Sequence, residues 1–272
     1  MRKTLFMAIA CVCIIQGTFA QSYSQFFGLA GQDTVNFIFT VRTPDIKAID
    51  SYPQQITEIS KTGENYKIAL TAINPYLNGE KLAKMEKANY NKSQVYDREV
   101  AHYLQSTSLI DAQNKYVKEI ADTLFKDETN TFAIINKGLK FVHSFLTPSD
   151  SIAKQIDAGI CRTIDVNTVI QTRIGTCSEY TNLFTSLMRY MNIPTRFAVG
   201  FWNVPEWNAE STHAWPECYI EDIGWCTVDP TLPSPVYPHF TGVRMRYGLD
   251  FEDCNIKTLN HDIEPIEFVK VK

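Results

Sequence analysis

The stretch GTCSEYTNLFTSLMRYMNIPTR, from Gly175 to Arg196, sets the order of structure in the second half of the chain. Tyr180, Leu183, Phe184, Leu187, Met188 and Met191 recur at helical spacing and make one broad apolar face, with Cys177 at its start. Asn192-Ile193-Pro194 stops the helix, because proline cannot continue it. Beyond it the period changes to that of strands. Arg196 to Trp202, His213 to Ile220 and Trp225 to Asp229 are the expected strands, and the loop Glu221-Asp222-Ile223-Gly224 joins the last two as a hairpin.

Upstream of this stretch two amphipathic helices are expected. One carries Tyr116, Val117, Ile120, Ala121 and Leu124, with Asp111 placed to cap it. The other carries Phe132, Ile135, Leu139, Val142 and Leu146 and ends at Pro148. Nearer the N-terminus, Val35, Phe37, Phe39 and Val41 alternate, as do Tyr66, Ile68, Leu70 and Ala72. A turn at Thr62-Gly63-Glu64-Asn65 and a partner strand holding Ile56 and Ile59 complete a small β-rich region. Residues 76–98 read as helix plus connection, and 266–271 as a closing strand after a Pro-rich tail. The organisation expected is a leader over 1–20, an accessory β region over 21–105 and a larger unit over 106–272.

The leader reading rests on the first residues. Met1-Arg2-Lys3 is followed by an apolar run from Leu5 to Ile15 and by Thr18-Phe19-Ala20, the layout of a secretory signal cleaved near Ala20. Such a chain is exported, to the periplasm or beyond, with no membrane span left in the mature protein. Lipidation at Cys11, after Ala8-Ile9-Ala10, is the weaker reading. A formal charge of -4 supplies no basic field for nucleic acid or an anionic membrane. The cysteines left after the leader, at 161, 177, 218, 226 and 254, are odd in number, which points to a free thiol. Cys218 and Cys226 fall on neighbouring strands, where a cross-strand disulfide and two separate thiols are both open. The cysteines form no CxxC pair and the histidines are scattered, so neither a metal nor another cofactor is expected.

Cys177, His213 and Asp229 are the candidate reactive group. A cysteine at a helix N-terminus meets unpaired N–H groups that stabilise a thiolate. An imidazole at 213 can act as its base, and a carboxylate at 229 can hold the ring. One register is awkward. Pairing Ile220 with Trp225 sets Asp229 opposite Pro216, on the wrong face for His213, so a one-residue bulge is expected. Each residue also has a plainer reading: a buried thiol, a strand-end hydrogen bond and a turn cap before Pro230.

Taken in order, Gly175-Thr176-Cys177-Ser178-Glu179-Tyr180, Asn192-Ile193-Pro194-Thr195-Arg196, His213-Ala214-Trp215-Pro216-Glu217 and Asp229-Pro230-Thr231 resemble the transglutaminase-like superfamily. The resemblance covers roughly residues 111–235. It implies an α+β, papain-like core, with the cysteine on a helix facing His and Asp on an antiparallel sheet. It also implies Cys177 as nucleophile, His213 as base and acid, and Asp229 as orienter, acting on amide bonds of peptides or proteins through a thioester. Gln171 is a candidate oxyanion donor, and Trp202, Trp207 and Trp215 are candidates for a substrate groove. A non-catalytic binding or assembly module of the cell envelope, and a deglycosylating amidase, are the alternatives.

Overall fold

The computed structural model describes residues 34–73, 75–158, 160, 163–204, 209–232, 242–256 and 265–271. The leader, Cys161 and Trp207 lie outside them, as does the side chain of Trp202. The chain is α+β. Its elements run β1 (Thr34–Val41), α1 (Ile46–Ile49), β2 (Gln54–Thr62), β3 (Asn65–Ile73), α2 (Gly79–Met85), α3 (Arg98–Ala101), α4 (Lys115–Leu124) and α5 (Thr131–Phe145). They continue with β4 (Thr147–Pro148), α6 (Asp150–Asp157), α7 (Val166–Thr172), β5 (Ile174–Gly175) and α8 (Cys177–Tyr190). The remaining strands are β6 (Thr195–Val204), β7 (Ala209–Ile220), β8 (Gly224–Thr227), β9 (Gly242–Gly248) and β10 (Glu267–Val271).

Two four-stranded antiparallel sheets frame the molecule, in the orders β10-β1-β3-β2 and β8-β7-β6-β9. The first is the expected N-terminal region with one addition. Its outer strand β10 comes from the far end of the chain and pairs Phe39 with Phe268. A division at residue 105 therefore leaves a strand of that sheet in the other unit. Phe37, Phe39, Ile68 and Leu70 alternate inward and pack with Phe197, Val199 and Val243 of the second sheet. Each such side chain, fully buried, contributes about 1.5–3 kcal/mol.

On the other side, α4, α5 and α7 surround α8. Its apolar face (Leu183, Phe184, Leu187 and Met188) is fully enclosed, and so are the polar positions Thr181, Asn182, Thr185 and Ser186. A helix enclosed all round is held by its neighbours rather than by water. Arg189 near its end gives up solvent to donate to the carbonyls of Thr195, Gln105 and Leu249, at 2.6–3.0 Å. Burial lowers its pKa to about 9 despite nearby Asp250.

Several expectations shift. Asn114, not Asp111, caps α4, and Asp111 instead accepts from the Gln113 N–H at 2.8 Å. β7 begins at Ala209, four residues before His213, because the β6–β7 ladder extends to Val204↔Ala209. Residues 203–204 and 209–212 are thus strand. The segment after Thr231 also holds β9, whose alternation at Val243 and Met245 is brief and flanked by proline-rich sequence.

One polar cluster ties the sheets together. Glu217 on β7 is 1% exposed, and its carboxylate meets Arg196 Nε at 2.5 Å and Arg244 Nη1 at 2.7 and 2.8 Å. Arg244 also donates to the Ala48 and Ser51 carbonyls, and Arg196 to the Tyr52 carbonyl, so the link after β1 is pinned to the second sheet. Burial alone would raise the Glu217 pKa, but the two guanidinium groups bring it below the usual range. Removing one member of a buried ion cluster leaves the other charges unpaired, at a cost of about 3–5 kcal/mol. Glu217→Gln is therefore expected to lower the unfolding free energy by about that amount in urea denaturation. A loss under about 1 kcal/mol would show that the cluster is not what joins the sheets.

Candidate active site

Cys177 is the first residue of α8, and a set of local contacts fixes that helix start. Glu179 is fully buried and points back over the turn. It accepts from the Thr176 N–H (2.7 Å), Thr176 Oγ1 (2.9 Å), the Ile164 N–H (3.0 Å) and Thr163 Oγ1 (3.1 Å). A carboxylate here satisfies donors that the helix start leaves unpaired and complements the positive end of the dipole. Gly175 is explained by the same contact. A Cβ on it would lie 2.3 Å from Glu179 Cβ, so the glycine makes room for the returning side chain. That is a packing need.

The hairpin brings the other two residues together by an unexpected route. The ladder pairs Ile220 with Gly224, Tyr219 with Trp225, Cys218 with Cys226 and Glu217 with Thr227. The turn is one residue shorter than expected, since Gly224 takes a strand position with φ of +96° and Asp222 has φ of +61°. Non-glycine residues rarely adopt such angles. The shift moves Asp229 onto the same side as His213 with no bulge between β7 and β8. The Val228 N–H donates to the Pro216 carbonyl at 3.0 Å and continues the pairing. Cys218 and Cys226 stand opposite each other as free, buried thiols.

His213 Nε2 meets Asp229 Oδ2 at 2.8 Å. The other carboxylate oxygen accepts from the Thr231 N–H (2.9 Å) and Thr231 Oγ1 (2.6 Å). Asp229 therefore holds its turn and faces the imidazole at once, which gives a physical reason for Asp229-Pro230-Thr231 as a unit. With Nε2 taken by the carboxylate, Nδ1 is the nitrogen left for the hydrogen bond between His213 and Cys177. The Trp215 ring lies beside the imidazole, 6.0 Å between centroids. Burial disfavours the charged ring, but the Asp229 carboxylate and the hydrogen bonds to Asp229 and Cys177 raise its pKa to about 10.

These groups open on a cleft of about 430 Å³ lined by Leu146, Pro148, Cys177, Tyr180, Thr212 and His213, among others. A larger hollow of about 700 Å³, around Tyr90, Tyr96 and Tyr219, does not include the triad. Of the remaining candidates, Gln171 is exposed on α7 and does not line the cleft, so the geometry does not support it as an oxyanion donor. Trp215 is buried and also outside the lining; it packs against Gly200, where a Cβ would lie 2.7 Å from the indole. Trp202, on β6, is paired with Ser211 of β7. His143 lines the cleft and was not singled out from the sequence, because its nearness depends on the two-residue pairing of β4 with β5.

The raised pKa has a consequence for stability. An ordinary histidine titrates near about 6.5, so the His213–Asp229 contact stabilises the fold fully below about pH 6.5. That contribution is lost as the pH rises through about 10. Thermal melts across this window are expected to show a steeper fall for the wild type than for Asp229→Asn. Parallel curves would mean that the pair carries no such charge interaction.

Three comparisons bear on this arrangement. The family model described as the transglutaminase-like superfamily matches residues 140–230, which hold α8, β6, β7, β8 and Asp229. A 97-residue stretch is 30% identical to the peptide-N(4)-(N-acetyl-beta-glucosaminyl)asparagine amidase of Eremothecium gossypii, over 34% of this chain and 25% of that protein. The chain thus matches about a quarter of that relative's length. In fold it is similar to the crystal structure of a "putative cysteine protease" from Cytophaga hutchinsonii, with a TM-score of 0.57 and 14% identity, covering 88% of this chain and 87% of the other. Residues 140–230 of this chain are thus similar to the core of the transglutaminase-like superfamily.

Proposed function

We propose that the protein is an exported thiol enzyme that opens amide bonds of peptides or proteins through a thioester, with water as the usual acceptor. The observation that carries this reading is the contact chain from Cys177 to His213 Nδ1 and from His213 Nε2 to Asp229, beside an open cleft. Cys177, its proton already held on His213, attacks the amide carbonyl carbon through its sulfur. The carbonyl oxygen takes up the negative charge and meets the Cys177 backbone N–H, one of the free donors of the helix start. As the tetrahedral adduct collapses, the C–N bond breaks and His213 returns the proton to the leaving amine. Water, deprotonated by His213, then attacks the thioester carbonyl. The C–S bond breaks, releasing the acid and restoring the thiol.

Asp229 stabilises the imidazolium that both half-reactions pass through. The preference for water follows from its constant presence, whereas transfer to an amine needs a matched second substrate. Asparagine-amide cleavage, as in the name of the Eremothecium relative, is a narrower form of the same chemistry. Export rests on the leader-like layout of residues 1–20. Among the described residues, no helix is long and apolar enough to cross a membrane.

Reaction with p-nitrophenyl acetate tests the scheme. The expected result is a burst of about one equivalent of p-nitrophenolate with a single acetyl group on Cys177. Cys177→Ala should give no burst, and His213→Ala should slow acylation by at least about 100-fold. Added methylamine should leave deacylation unchanged. A burst that survives in Cys177→Ala would remove the proposed nucleophile, and an absent burst in the wild type would favour a binding module.

A further inference from the structure

One side of the cleft is lined by the end of α5 and the segment after it, whose position is fixed by main-chain bonds. The Thr147 N–H donates to the Arg173 carbonyl and the Ser149 N–H to the Gly175 carbonyl, both at 2.9 Å. Tyr180 Oη donates to the Leu146 carbonyl at 2.9 Å, tying that segment to the first turn of α8. One turn before Leu146 stands His143, which lines the same cleft as Cys177 and His213. Helix and paired segment thus hold a second imidazole at the site, and the proposed chemistry does not use it.

The ring is also polarised by its surroundings. His143 Nδ1 is buried and has no hydrogen-bond partner among the described residues. A proton there would be an unpaired buried donor, an arrangement that folded proteins avoid more strictly than an unpaired acceptor. Nε2 is therefore the ring nitrogen better placed to carry a proton. The lining holds Leu146, Pro148, Gly175, Thr176, Thr212 and Thr231 besides the residues already named, and among these described residues there is no Asp, Glu, Lys or Arg. A substrate carboxylate entering there meets no Asp or Glu side chain of the lining, and the His213 imidazolium offsets the charge of the Cys177 thiolate beside it.

We propose that His143 selects acyl donors bearing a carboxylate close to the scissile amide, as an acidic peptide does, by donating from Nε2 to that carboxylate. A hydrogen bond to a charged acceptor is about twice as strong as one to a neutral acceptor, so the preference is for carboxylate over carboxamide. The inference rests on the reading of Cys177 as the reactive thiol and adds the substrate class to it.

Iodoacetate and iodoacetamide, which differ in this one group, are the probes. Alkylation rates of Cys177 with each are measured by intact mass for wild type, His143→Leu and His143→Gln. The iodoacetate-to-iodoacetamide ratio is expected to fall about threefold to tenfold in His143→Leu. His143→Gln, which keeps a donor, should recover most of it, while the iodoacetamide rate stays within about twofold throughout. A purely structural role for His143 would change both rates together. An unchanged ratio in a leucine variant that iodoacetamide still labels normally would overturn the inference and leave the thiol reading standing. If neither probe labels Cys177 in the wild type, both fall. Should the leucine variant not fold, His143→Asn takes its place, with a drop of the ratio expected because the shorter amide does not reach the position of Nε2.

Discussion

The buried carboxylate of Glu217, gripped by Arg196 and Arg244, is the constraint on which the rest of the arrangement depends. It sits on β7 four residues from His213, at the junction of three strands, and its two partners reach across to main-chain carbonyls of the segment after β1. Charges so enclosed are expensive unless every donor has a place, and the Ala48, Ser51 and Tyr52 carbonyls supply those places. The geometry this enforces is specific. β6, β7 and β9 stay in one register, and the N-terminal sheet docks at one angle. The strand carrying the imidazole cannot slide relative to its neighbours.

With that sheet held, the cluster of Cys177, His213 and Asp229 is assembled by two short devices. Glu179 folds back on the start of α8 and fixes where the Cys177 side chain begins, a contact that only a glycine at 175 permits. The tight turn at Asp222 and Gly224 sets the register that carries Asp229 to the imidazole. Neither device touches the reacting atoms. Both act through position, and the acidic residue of the Cys177-Ser178-Glu179 motif is thereby a positioning group rather than a second acid.

The sequence made the elements legible where period and punctuation agreed. α8 is bounded by a glycine-threonine start and an Asn-Ile-Pro stop, and its apolar spacing is uninterrupted, so both its extent and Cys177 at its head were readable. The hairpin was readable as a hairpin, but its register was not. One residue of turn length decides which face Asp229 occupies, and that depends on Gly224 adopting a positive φ as a strand residue. β9 was hidden by its brevity and its proline-rich approach, and with it Arg244, whose charge gives no hint of a buried partner 27 positions earlier. His143 escaped notice for a related reason. Helical spacing places it on α5, yet only the β4–β5 pairing, too short to leave a pattern, brings α5 to the cleft. Gln171 was suggested by its distance before the cysteine, and the left-handed Arg173 that ends α7 separates it from the helix it was meant to serve.

The chemistry of the site turns on activation of the thiol by the histidine. It is tested most directly by following alkylation of Cys177 with a limiting dose of iodoacetamide near neutral pH, by intact mass, in the wild type and in His213→Ala. One fast adduct on Cys177 is expected in the wild type, with a fall in its rate of at least about tenfold in the variant. Equal rates in the two proteins, or a Cys177 that resists labelling while folded, would contradict it.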